Sequence, residues 1–151
     1  MNVATVTSQH SRDEAQILTL LEGVRNAHRD KSGTAIAAAY ADDAMVCDLS
    51  PPLAHRGIDA AAKQAWLDTW EGPVELEPRD VTITVSGDVA IVRGFTRLSG
   101  KPKAAPQPVG FWIRDTICLN RERGAWKIVH HHASVPFYMD GSLRPAFDLK
   151  P

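Results

Sequence analysis

Apolar residues recur at helical spacing up to about Trp70, and beyond Pro73 they alternate with polar ones. Ser11-Arg12-Asp13-Glu14 has the form of a capping box, with Ser at the N-cap and Glu three residues on. Ile17, Leu20, Leu21 and Val24 follow on one helical face, so a helix is predicted to about Arg29, where Lys31-Ser32-Gly33 breaks it. Residues 1–10 read as a flexible leader before a single domain spanning 11–151. A second helix is predicted over Thr34–Tyr40, ended by Asp42-Asp43. Ala44–Leu49 alternates as a short strand with Val46 and Asp48 on one face, and Ser50-Pro51-Pro52 stops it. Gly57-Ile58-Asp59 opens a third helix to about Trp70, with Ala62, Trp66 and Trp70 at i, i+4 and i+8. The second half predicts strands: one bent strand from Val74–Glu77 and Val81–Val85, a turn at Ser86-Gly87-Asp88, then Val89–Leu98. A proline-rich loop, 99–109, leads to a final hairpin. Three helices followed by an antiparallel meander of four to six strands predict an α+β domain.

The hairpin, Gly110–Phe137, carries most of the chemistry. Alternation puts Trp112, Arg114 and Thr116 on one face of its first strand. On its second strand Ile128, His130, His132 and Ser134 share a face, while Val129, His131 and Val135 take the other. A loop over 121–125 centred on Arg123 would set Arg114 opposite His132 and Thr116 opposite His130. The expected site is therefore a sheet surface bearing a guanidinium, two imidazoles and two hydroxyls. The opposite face, with Phe111, Ile113, Ile117, Leu119, Val129, Ala133 and Val135, is apolar. A second apolar face suggests burial against another subunit, hence a homodimer through the sheet.

Composition narrows the setting. The 151 residues are 44% hydrophobic and 23% charged, with a formal net charge of −1, as in soluble globular domains. Lys and Arg are scattered, so neither nucleic acid nor a membrane surface is an expected partner. The two cysteines, Cys47 and Cys118, sit in predicted strands, and the N-terminal residues lack a signal-peptide pattern, so a cytoplasmic protein is expected. Three consecutive histidines suggest metal. Alternation sends His131 away, however, leaving two same-face ligands that would need Asp48 or His55 to complete a site, so no metal and no cofactor are expected. His10 and His28 read as solvated surface residues.

Several blocks resemble the NTF2-like superfamily, in its SnoaL-like and ketosteroid-isomerase-like branch: Tyr40–Asp48, Pro51–Gly57, Trp112–Thr116 and Trp126–Phe137. The resemblance implies a cone-shaped fold, three N-terminal helices on a strongly curved antiparallel sheet, with a ligand pocket inside. It places Asp48 at the position of the general base of ketosteroid isomerases, which act with a tyrosine and a protonated aspartate as oxyanion donors. An ungapped count puts those two donors at Val24 and near Gly110 or Phe111, so the known electrophile is expected to be missing. In its place Arg114 could hold an anionic group and His132 could move a proton, making Asp48, His132 and Arg114 the expected catalytic set. His130, Thr116, Ser134, Trp112, His55, Trp66 and Trp70 are the expected substrate-binding residues.

The implied function is proton abstraction next to a carbonyl in a small molecule, neutral or anionic, of the isomerase, polyketide-cyclase or dehydratase kind. A non-catalytic ligand-binding or dimerisation module of the same fold stays open beside it. The run His130–Pro136 also resembles the His-rich strand of iota-class carbonic anhydrases, which leaves hydration chemistry as a third reading. In structural terms, Asp48 could instead pair with Arg114 or Arg56, and Trp66 and Trp70 could simply be core.

Overall fold

The computed structural model describes residues 3–151, with side chains from Ser11 onward. Nine elements follow one another: helices α1 (Val3–Arg29) and α2 (Gly33–Ala38), strands β1 (Tyr40–Cys47) and β2 (His55–Arg56), helix α3 (Ala60–Leu67), and strands β3 (Trp70–Ser86), β4 (Val89–Pro102), β5 (Val109–Glu122) and β6 (Ala125–Ser134). The strands form one six-stranded sheet in the order β2-β1-β6-β5-β4-β3. The sheet is mixed, not antiparallel throughout, because β1 runs parallel to β6. The chain returns from β1 to β6 only after α3 and the β3–β5 meander, a connection long enough for a parallel neighbour. No described helix is long and apolar enough to cross a membrane.

Two local signals give way to longer-range ones. The Ser11–Glu14 box does not start α1, whose backbone is already helical from Val3. Met1 and Asn2 of the expected leader, and the side chain of His10, lie outside the described residues. Asp13 is used for tertiary structure instead: it is buried and pairs with Arg121 of β5 at 2.8 Å, tying α1 to the sheet. β1 starts at Tyr40, earlier than predicted, with a register irregularity between Tyr40 and Met45 that leaves Asp42 and Asp43 exposed. The bent strand is one element, β3, irregular between Arg79 and Thr82, where Asp80 adopts a positive φ.

The core lies between the helices and one face of the sheet. Ile17, Leu21 and Val24 of α1, Ile36 of α2 and Leu67 of α3 pack with Trp70 and Val74 of β3, Leu119 of β5 and Ile128 of β6. Gly57 brings the β2 loop down onto β1: its φ is +64°, and a Cβ there would meet the Asp42 carbonyl oxygen at 2.4 Å. Asp59 then caps α3, with Oδ1 accepting from the Ala61 and Ala62 N–H groups at 2.9 and 3.0 Å. Asp59→Ala is expected to cost about 1 kcal/mol of stability, read as a lower urea midpoint with unchanged slope.

The hairpin decides which residues face the core. Its turn is the two-residue pair Arg123-Gly124, both at positive φ (49° and 83°), as a type I′ turn requires. Glu122 pairs with Ala125, and pairing is regular as far as Leu119 with Ile128; the next pair is Cys118 with His130. Val129 is thus an extra residue, a β-bulge, and beyond it the phase of β6 is reversed. Ile128 shares the inner face with His131 and Ala133, whereas His130, His132 and Ser134 turn outward. The expected pairs are also shifted: Arg114 lies opposite Ser134 and Thr116 opposite His132.

Candidate functional site

A cavity of about 830 Å³ opens between the helices and the inner sheet face. That volume is within the usual range for small-molecule sites. Its wall is largely apolar, with Leu21 and Val24 from α1, Trp66 from α3, Trp70 from β3, and Phe111, Ile113 and Ile117 from β5.

Four of the predicted site residues line this space: Asp48, His55, Trp66 and Trp70. Trp66 and Trp70 meet edge-on with ring centroids 5.7 Å apart, so they serve as core and cavity wall together. His55 is fixed at the rim by its Nδ1–H donating to the Gly57 carbonyl at 2.9 Å. Asp48 pairs with neither Arg114 nor Arg56; the Lys63 ammonium of α3 lies 3.8 Å from its Oδ2. Its side chain is 38% exposed.

Six predicted site residues lie on the opposite face of the sheet. Trp112, Arg114, Thr116, His130, His132 and Ser134 are absent from the cavity lining. There Arg114 Nε donates to Ser134 Oγ at 3.1 Å, the His130 and His132 rings meet edge-on at 6.4 Å, and Arg79 stacks on Trp112. A single surface holding Asp48 with Arg114, Thr116, His132 and Ser134 is therefore not formed. The face read as apolar and free for a partner is instead the one covered by the chain's own helices, which removes that ground for a dimer.

The cavity's polar centre is one the alternation argument sent elsewhere. His131 Nε2 is 2.9 Å from Asp115 Oδ1, and its Nδ1 is 2.8 Å from the Tyr40 hydroxyl. A carboxylate oxygen only accepts, so Nε2 carries the hydrogen; in the neutral ring Nδ1 then accepts from the Tyr40 O–H. The result is a directed chain, Tyr40 O–H to His131 to Asp115, running from β1 across β6 to β5. Burial, reinforced by the charges of Asp48 and Asp115, raises the Tyr40 pKa strongly, so its phenol keeps the proton. The one polar member of Phe111, Ile113, Asp115, Ile117 and the histidine between Val129 and Ala133 were the sequence signals for this pair: lone polar groups on apolar strand faces.

His28 was also misplaced by sequence. It is 9% exposed, lines the cavity, and its Nδ1 donates to the Val24 carbonyl at 2.8 Å. Burial lowers its pKa to about 4 against the favourable Val24 bond, with Lys63 and His131 pushing the same way as burial and Asp48 opposing. Among the described residues no group of three or more His, Cys, Asp or Glu side chains is arranged to hold a metal ion.

Comparison with known proteins places this architecture. A family model described as a SnoaL-like domain matches residues 17–138. No curated protein matches the chain. Among solved structures, an NTF2-like protein of unknown function from Pseudomonas putida KT2440 is 30% identical, covering 93% of this chain and 98% of the other, with a TM-score of 0.81. A Novosphingobium aromaticivorans protein provisionally named a scytalone dehydratase is 14% identical over 95% of this chain and 99% of its own, TM-score 0.74. A ketosteroid isomerase-like protein from Erwinia carotovora atroseptica is 23% identical over 80% and 93%, TM-score 0.66. The last two are similar in fold alone. The match over most of its length, with the Pseudomonas relative, makes this chain a member of the SnoaL-like domain family of the NTF2-like superfamily.

Proposed function

We propose that the chain is an acid–base enzyme that removes a proton next to a carbonyl in a small, largely apolar molecule, with isomerase- or dehydratase-type chemistry. The observation that carries the reading is the hydrogen-bonded chain Tyr40–His131–Asp115 set into an apolar cavity that also contains Asp48. Polar groups are costly in such a wall, and this set is ordered for moving or donating a proton. Asp48, facing the cavity and only loosely paired with Lys63, is the proton acceptor. As the C–H bond breaks, negative charge moves to the substrate's carbonyl oxygen. In the doubly protonated form of His131, Nε2–H donates to Asp115 and Nδ1–H to the Tyr40 oxygen, which leaves the Tyr40 O–H, still protonated, to donate to the substrate oxygen. In an isomerisation Asp48 returns the proton to a second carbon; in a dehydration the hydroxyl leaves as water with a proton relayed through Tyr40 from the doubly protonated His131, which ends neutral, while Asp48 keeps the carbon's proton. The electrophile missing from the family positions is thus supplied by different residues.

The reaction's first step can be read without knowing the product. With 2-tetralone in D2O, the protein is expected to speed the loss of the α-proton NMR signals well beyond the buffer rate. If 2-tetralone enters the cavity, seen as shifted Trp66 or Trp70 resonances, and exchange stays at the buffer rate, the enzymatic reading fails and a binding module remains.

A further inference from the structure

His28 takes no part in the steps above, yet the fold fixes its hydrogen-bonding state. A carbonyl oxygen only accepts, so the 2.8 Å contact with Val24 places the hydrogen on Nδ1. In the neutral ring Nε2 is then a bare lone pair. No described residue donates to it, and the only fully buried side-chain polar atom without a partner among the described residues is Trp126 Nε1. His28 Nε2 is therefore not sealed in protein; it is reached by the cavity that His28 lines. The ring meets Trp66 edge-on at 6.2 Å, so this acceptor is set in an apolar wall. An acceptor in such a wall is destabilising unless water or a ligand donates to it. The Lys63 charge acts on the same ring, which disfavours a cationic donor there. What remains is a neutral donor, O–H or N–H, and of the two a hydroxyl makes the shorter bond to a ring nitrogen.

We propose that His28 Nε2 recognises a ligand hydroxyl, so that the cavity selects hydroxylated carbonyl compounds or phenols over ethers and hydrocarbons of the same shape. The carbonyl part of this statement rests on the enzymatic reading above; the hydroxyl part does not. A ligand ether placed against Nε2 would displace its water and give no hydrogen bond in return.

The test uses 2-naphthol and 2-methoxynaphthalene, equal in shape apart from one methyl group, and the intact protein. Naphthol is expected to bind roughly tenfold or more tightly than the ether. In ¹⁵N NMR it is expected to move the Nε2 resonance of His28 upfield, with Nδ1 still protonated and the ether leaving Nε2 unmoved. His28→Phe is expected to bind both probes alike. Equal affinities in the unmodified protein, an unmoved Nε2 resonance, or no binding of either probe would each overturn the proposal. The NMR arm needs no variant, so a poorly folded His28→Phe does not remove the test. Failure of the enzymatic reading looks different: the naphthol preference survives while 2-tetralone exchange stays at the buffer rate.

Discussion

Asp48→Asn is expected to slow α-proton exchange of 2-tetralone by about a thousandfold while leaving its affinity within a few fold. Asparagine keeps the shape of the side chain but takes up no proton, and a positioned base contributes roughly 10²–10⁴ in rate. Tyr40→Phe removes the donor proposed for the substrate oxygen and is expected to cost about 10²–10³, also with little loss of affinity. The two variants report different halves of the proposed step. If both leave exchange unchanged, the catalytic chemistry assigned here is wrong. If only Tyr40→Phe is silent, the oxyanion is held by another group and Asp48 stands. The outward residues give a matched control: His132→Ala is expected to leave exchange unchanged, since His132 does not line the cavity.

Acid lability with an assignable cause is the second large effect. His28 has a folded-state pKa of about 4, against about 6.5 for an exposed histidine. Between those values the unfolded chain binds a proton that the folded chain refuses, so stability falls as pH drops through this window and levels off below about 4. From pH 7.5 to 4.5 the loss from this one group is roughly 2.5 kcal/mol. The groups acting on the ring from the elements around it are Lys63 of α3, His131 of β6 and Asp48 beyond β1; the first two oppose its protonation and Asp48 favours it. Urea unfolding at the two pH values measures the difference. His28→Phe, which cannot titrate, is expected to show a smaller loss by about that amount, and an identical loss in both proteins would assign the lability to other groups.

Much of the fold is legible along the chain because each helix and strand writes its own period. Ile17, Leu21 and Val24 mark the buried face of α1, the second-half alternation marks the strands, and Arg123-Gly124 lies inside the loop expected to join them. Where an element begins was less legible. The Ser11–Glu14 pattern satisfies every local rule for a helix start, but Asp13 is needed by Arg121 on β5, a partner 108 positions away that no local pattern reveals. His28 reads as a surface group, yet it lies four residues after Val24 and seven after Leu21, the spacing of the buried face of α1, and that face carries it to the cavity.

The candidate site was half legible. Asp48, His55, Trp66 and Trp70 could be placed because each sits near an element end or on a helix whose face is set by its apolar neighbours. The hairpin residues could not. A strand's side chains repeat every two residues, so one extra residue exchanges the two faces for everything beyond it. Val129 is that residue: beyond its bulge His130, His132 and Ser134 part from Ile128 and share the outward face of Trp112, Arg114 and Thr116, a face expected to look inward. By itself the sequence determined the α+β class, the family and the set of groups available on the last two strands. Only the tertiary structure decided which of their two faces looks into the cavity, because the helices cover one side of the sheet through long-range packing and the bulge at Val129 leaves no mark in the local alternation.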